Sequence, residues 1–165
     1  MAFWKENTAE PTRKFRFKLL GNNENGGDWY WVKSLDKPSF EVSTTQYTII
    51  NQKFEYPGIL TWNDINIVMA DIGDSKVKQL QGFIQANDYK TPDEGISGVK
   101  KSNFDGSDAT VMTIQQLDSS GAAVEEWELF NTMIKSVNYG SLAYSDDDLV
   151  EITMIIAYDY AKQTK

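Results

Sequence analysis

The chain has 165 residues, 41% hydrophobic and 24% charged, which suits one folded domain of ordinary size. Its net charge of -8 argues against a surface built to grip nucleic-acid phosphates. The absence of His and Cys removes thiol nucleophiles, disulfides, imidazole bases and the usual zinc sites, so binding and structural roles gain weight over enzyme chemistry.

In chain order, residues 1–12 are aperiodic and read as an extended arm, with Phe3 and Trp4 as its apolar anchors, docked on the same subunit or on a neighbour. Phe15, Phe17 and Leu19 alternate with Lys14, Arg16 and Lys18 in a half-buried strand. After the Asn/Gly run at 21–28, Trp29 to Leu35 reads as the returning strand of a hairpin, and Asp36-Lys37-Pro38-Ser39 as the next turn. Phe40, Val42 and Thr44 open a third strand, and Thr48 to Tyr56 reads as a fourth that Pro57-Gly58 ends.

Residues 44–62 carry much apolar surface, including Tyr47, Ile49, Ile50, Phe54, Tyr56, Ile59, Leu60 and Trp62. Two readings fit: a pair of plain core strands, or a long projecting hairpin whose side chains are buried only when another subunit covers them. Asp64 to Ala70 alternates as a further strand. The one expected helix begins near Asp74 or Ser75 and places Val77, Leu80, Phe83 and Ile84 on one stripe. Residues 87–108 read as a long loop.

Ala109 to Leu117 and Ala123 to Phe130 flank the turn Asp118-Ser119-Ser120-Gly121. Met133 to Tyr139 leads through Gly140 to Leu149 and reads as a second hairpin, and a last strand runs from Val150 to Tyr160. The expected fold is therefore mainly β: a single domain over 1–165, an antiparallel two-sheet β-barrel or sandwich of about eight strands, with one flanking α-helix.

The acidity is regional. Residues 118–159 hold nine acidic side chains against Lys135 alone, a balance of -8, while the remainder nearly cancels. Within it, Glu126 and Glu128 share one strand face and Glu125 takes the other. A solvated sheet face is the plain reading of that pair, a glycosidase pair being disfavoured because its members normally come from different elements. Asp146-Asp147-Asp148 lacks the Gly and terminal Glu of a calcium loop. No catalytic role, metal or cofactor is expected. No apolar run is long enough to span a membrane, and none is expected to insert.

Several motifs then carry a resemblance. The run Trp127-Glu128-Leu129-Phe130, the run Ile134 to Gly140, the core Leu142-Ala143-Tyr144-Ser145-Asp146-Asp147-Asp148-Leu149 and the ending Ala157-Tyr158-Asp159-Tyr160-Ala161 resemble the tail tube proteins of contractile-tailed, T-even-like bacteriophages. Ser39 to Val42 and Lys53 to Gly58 resemble their central region, and Tyr160 stands where Trp is commoner. The resemblance implies a structural subunit of a virion tail, assembled in the host cytoplasm. Six-membered rings would stack into a helical tube inside a tail sheath, between baseplate and tail terminator proteins. DNA would pass through the lumen without specific binding.

It also implies that residues 44–62 form a long hairpin reaching the adjacent ring, with Tyr47, Ile49, Ile50, Phe54, Tyr56 and Ile59 in the stacking contact. Each subunit would lend four strands to the barrel around the lumen. About 24 strands at ~4.8 Å spacing and ~45° tilt give a backbone radius of roughly 26 Å, wide enough for a duplex. Glu126 and Glu128 are the best candidates for acidic side chains facing the lumen or the sheath, where they would avoid adhesion to phosphates. Three alternatives share this fold: a tube of a phage-like injection system, a tube of a secretion system, both carrying effectors, and a baseplate tube initiator.

Overall fold

The computed structural model describes residues 12–21, 29–73 and 111–165. Period-2 alternation of apolar side chains governs most of these segments, and every strand pairing among them is antiparallel. One four-stranded sheet has the order β1 (Phe17–Leu20), β6 (Met112–Leu117), β7 (Ala123–Phe130), β10 (Tyr160–Gln163). A second has the order β2 (Val32–Leu35), β5 (Ile65–Ala70), β9 (Glu151–Ala157), β8 (Met133–Asn138). A separate two-stranded ribbon joins β3 (Phe40–Ile49) to β4 (Gln52–Trp62). The mainly β, antiparallel expectation thus holds, but the sheets number three where two were expected, because the hairpin forms its own ribbon, and the described residues hold ten strands where about eight were expected.

The inner faces of the two large sheets meet in one core. Leu19, Met112, Ile114 and Leu129 come from the first sheet, and Ile65, Ile67, Met69, Ile134, Ile152, Met154 and Ile156 from the second. Trp29 and Trp31 are buried with them, stacked at 5.5 Å. These two indoles explain why the expected hairpin of residues 13–20 with 29–35 does not form. They draw the chain through the core, so β1 and β2 lie in different sheets.

Three other expectations change. The last strand divides at Tyr158 and Asp159, so that β9 belongs to one sheet and β10 to the other. The stretch leading from Gly140 to Leu149 is a loop, not a strand. Pro57-Gly58 lies inside β4, because the register shifts between Val42 and Thr44 and absorbs an extra residue opposite Ser43. There the Ser43 hydroxyl accepts a hydrogen bond from Ile59 N at 2.8 Å, and a Cβ on Gly58 would lie only 2.5 Å from it. The turn after β6 forms as expected: the Asp118 carboxylate accepts from Ser120 N, Ser120 Oγ and Ala122 N, and Gly121 adopts φ 84°. The expected helix, the 87–108 loop and the Phe3/Trp4 arm lie outside the described residues; no helix occurs within those described.

The two sheet crossovers after β7 and β9 are tied together. Asn131, at φ 55°, donates from Nδ2 to Asp159 Oδ2 at 2.8 Å, and Asp159 N donates to Phe130 O at 3.0 Å. Met154 has no exposed surface, so Met154→Ala should cost about 2–5 kcal/mol in urea unfolding. Tyr47→Ala, on the outward ribbon, should cost less than about 1 kcal/mol in the same measurement.

Candidate functional site

The β3–β4 ribbon is long and almost wholly exposed; only Trp62, at its base, is half-buried. Its base docks through aromatic contacts. Phe40 meets Trp62 edge-on at 5.3 Å, and Trp62 meets Tyr158 at 5.8 Å. On this core-side face Phe40 pairs with Trp62 and Val42 with Leu60.

Beyond the bulge the pattern inverts. The face that began with Phe40 and Val42 continues as Thr44, Gln46 and Thr48, opposite Pro57, Glu55 and Lys53. Gln46 Nε2 donates to Glu55 Oε1 there at 2.9 Å. The other face pairs Tyr47 with Phe54, Thr45 with Tyr56 and Ile49 with Gln52. The outer half of the ribbon therefore turns its apolar side away from the side that docks on the core. Tyr47, Ile49, Phe54, Tyr56 and Ile59 are all exposed, and Ile50 at the tip is 90% exposed. Ile50 also adopts φ 53°, a conformation costly for a β-branched residue. The six residues expected at a stacking contact thus lie on one projecting element, five along it and one at its tip.

The outward face of the first sheet holds a second surface. Two rows cross it: Leu20, Thr113, Glu128 and Lys162, then Lys18, Gln115, Glu126 and Thr164. Gln115 Nε2 donates to Glu126 Oε2 at 2.6 Å, and Thr164 Oγ1 donates to Oε1 at 3.3 Å. Glu126 and Glu128 do share a face, but they share it with Lys18 and Lys162, so this wall is charged and nearly balanced rather than acidic. The outward face of the second sheet carries Ser34, Asn66, Val68, Thr153 and Ile155 in its central rows, with no charge among them.

Part of the regional acidity is neutralised or displaced. Glu125 projects to the opposite side of β7 from Glu126 and bonds Lys37 Nζ at 2.7 Å and the Trp127 indole at 2.5 Å. Glu151 pairs with Lys33, while Lys135, the region's one cation, pairs with Asp64 outside it. Asp146, Asp147 and Asp148 sit on the 139–150 loop, where Asp148 N donates to Asp146 Oδ1 at 3.2 Å. That loop also exposes Leu142, Tyr144 and Leu149. Gly140 anchors it at φ 83°, and a Cβ there would lie 2.7 Å from the Glu151 carbonyl oxygen. Sequence reasoning gave the loop no role; its three isolated apolar residues amid Asp, Ser and Gly were the available signal. Among the described residues no three acidic groups converge as metal ligands. No helix among them is long and apolar enough to cross a membrane.

No protein-family model matches the chain, and no curated protein matches it. Solved structures share its fold. A chain of the anti-feeding prophage cap, described as the AFP tube terminating cap, superposes with TM-score 0.71 at 14% identity, over 100% of this chain and 99% of that one. A chain of the PVC extracellular contractile injection system's sheath/tube terminator gives 0.72 at 15% identity, over 96% and 99%. One from the PVC sheath-tube complex gives 0.70 at 16%, over 95% and 93%. At these identities the likeness establishes the fold.

The Lys37 ammonium, hydrogen-bonded to Glu125, and then the Trp127 N–H hold the Glu125 carboxyl below its ordinary range. A depressed folded value means that the bond stabilises above the unfolded pKa and that this stabilisation is lost as pH falls through the folded value. Lys37→Met should lower stability at pH 7 by less than about 1 kcal/mol, since the pair is partly solvated. The gap between variant and wild-type unfolding curves should close as the pH is lowered below the carboxylate range.

Proposed function

We propose that this chain is a structural subunit of a contractile tail-like tube, forming rings that stack into a hollow conduit. The observation that carries this reading is the projecting ribbon, whose outer apolar face has no partner among the described residues of its own subunit. The fold likeness to terminator and sheath–tube components of injection systems supports it. The chain has no enzymatic role in this reading, and its neighbours in the particle are further copies of itself, a sheath, a baseplate and a terminator.

The first sheet is the wall of the conduit. Its edge strands among those described, β1 and β10, run antiparallel, so β10 of one copy continues the alternation onto β1 of the next around a ring. Its charged outward face suits a water-filled bore, whereas the second sheet's central rows place Val68 and Ile155 outward. Glu126 and Glu128, offset by Lys18 and Lys162, line that bore. A wall of mixed sign has no continuous cationic track along which a polyanion would bind. The motif resemblance to phage tube proteins favours DNA as cargo. A tube of a phage-like injection system, carrying effectors, is the second reading, and the solved neighbours favour it.

Ile49→Asp combined with Ile59→Asp should leave the fold intact and yield rings or monomers in place of tubes by electron microscopy; long tubes would contradict the stacking role. Because the chain has no Cys, Glu128→Cys supplies a unique thiol. In assembled tubes it should react with a small maleimide and resist one carried on a bulky protein, while dissociated subunits react with both.

A further inference from the structure

The ribbon and the 139–150 loop occupy opposite ends of the second sheet. β4 leads through Asn63 and Asp64 into β5 at Ile65, and Trp62 contacts Tyr158 just past the end of β9. At the other end of the same two strands Ala70 pairs with Glu151, and Asp71 N donates to Val150 O at 2.9 Å. The six residues of β5 separate the two features by roughly 20 Å. A displacement of one copy along this strand direction, without reorientation, sets the ribbon end of one sheet against the loop end of the next.

Resting on the stacking reading above, we propose that the 139–150 loop is the seat for the β3–β4 ribbon of a second copy of this chain. The loop presents Leu142, Tyr144 and Leu149, which are 87%, 113% and 71% exposed, beside an open groove of about 620 Å³. Leu142, Ala143, Leu149 and Val150 supply the groove's apolar side, and the Lys33–Glu151 ion pair lies on its wall. The ribbon brings Tyr47, Ile49, Phe54 and Tyr56 to match it. Charge adds a contact at the ribbon's rim: Lys53, the one cation between residues 40 and 62, lies on the ribbon's other face opposite Thr48 and two positions from Glu55, and residues 139–150 contain three Asp and no Lys or Arg. Because ribbon and loop are different surfaces on opposite ends, the contact is head-to-tail and does not close on itself. A sheath protein on the loop, or a self-matched pair of ribbons, would not use this polarity.

The test uses the full chain. Lys53→Cys with Asp147→Cys supplies its only thiols, and the assembled protein is treated with a short bis-maleimide. The expected product is a denaturing-gel ladder extending past six subunits, absent from either single variant. Tubes without a ladder overturn the loop as the seat, and a ladder ending at dimers overturns the head-to-tail contact. Charge exchange gives an independent arm: Lys53→Asp should reduce tube yield about tenfold, and Asp147→Lys in the same chain should restore it; failure to restore counts against the pairing. Leu142→Asp with Tyr144→Asp, both exposed in the subunit, should abolish tubes without changing the melting temperature. If Ile49→Asp with Ile59→Asp still gives long tubes, the stacking reading itself fails. If that variant loses tubes but Leu142→Asp with Tyr144→Asp keeps them, only the seat is wrong.

Discussion

The outer half of the β3–β4 ribbon has no core to cover it, and most other features follow from that constraint. The two large sheets fill the space between them with Trp29, Trp31 and a continuous set of Ile, Met and Leu, leaving no internal position for Tyr47 or Phe54. A two-stranded ribbon in water is at best marginally stable alone. Here the Phe40–Trp62–Tyr158 aromatic chain fixes the base, and the Ser43–Ile59 hydrogen bond holds the bulge. A rigid base and an uncovered outer half make an element shaped for contact with another molecule.

The bulge opposite Ser43 gives the ribbon its two-sidedness. Without the extra residue in β4, Leu60 and Trp62 would share a face with Tyr56 and Phe54, opposite the face on which β3 places Tyr47 and Ile49, and the outer apolar side chains would be split between the two faces. Inserting one residue reverses that phase on β4 while β3 keeps its alternation. Gly58 fits because the hydroxyl of Ser43 occupies the space a Cβ would need. Adding a side chain there would therefore disturb the relation between base and tip before it disturbed the core.

The inward alternation of β5, β6 and β9 was legible from period-2 patterning, and so was the Asp118 turn. The β1–β2 relation was not, because a loop rich in Asn and Gly permits a hairpin equally well as a crossover; the choice was made by two distant indoles needing the core. Pro57-Gly58 misled for a related reason: the pair signals a break locally, yet an exposed ribbon has an open edge where Pro leaves no donor stranded. The stacking candidates were visible as excess apolar surface, but their faces depended on a bulge that no spacing rule marks. Glu126 and Glu128 were placed on one face correctly. Their balance by Lys18 and Lys162 was invisible because those lysines lie more than thirty residues away in sequence and arrive through β1 and β10.

Magnitudes explain why such a ribbon would act in rings and not in pairs. Burying five apolar side chains at ~1.5–3 kcal/mol each gives about 7–15 kcal/mol, against a comparable ~4–15 kcal/mol for lost freedom on association. One ribbon on one seat is therefore near balance, and two free subunits would seldom remain joined. In a preformed ring the rotational and translational loss falls once for the whole ring, while the contact is repeated at every subunit. Strain at Ile50, where φ is 53°, lowers the stability of the isolated tip further. If the chain stacks as proposed, weak single contacts and strong ring-to-ring contacts would favour assembly from a completed layer over random aggregation of subunits, which an exposed apolar ribbon would otherwise invite.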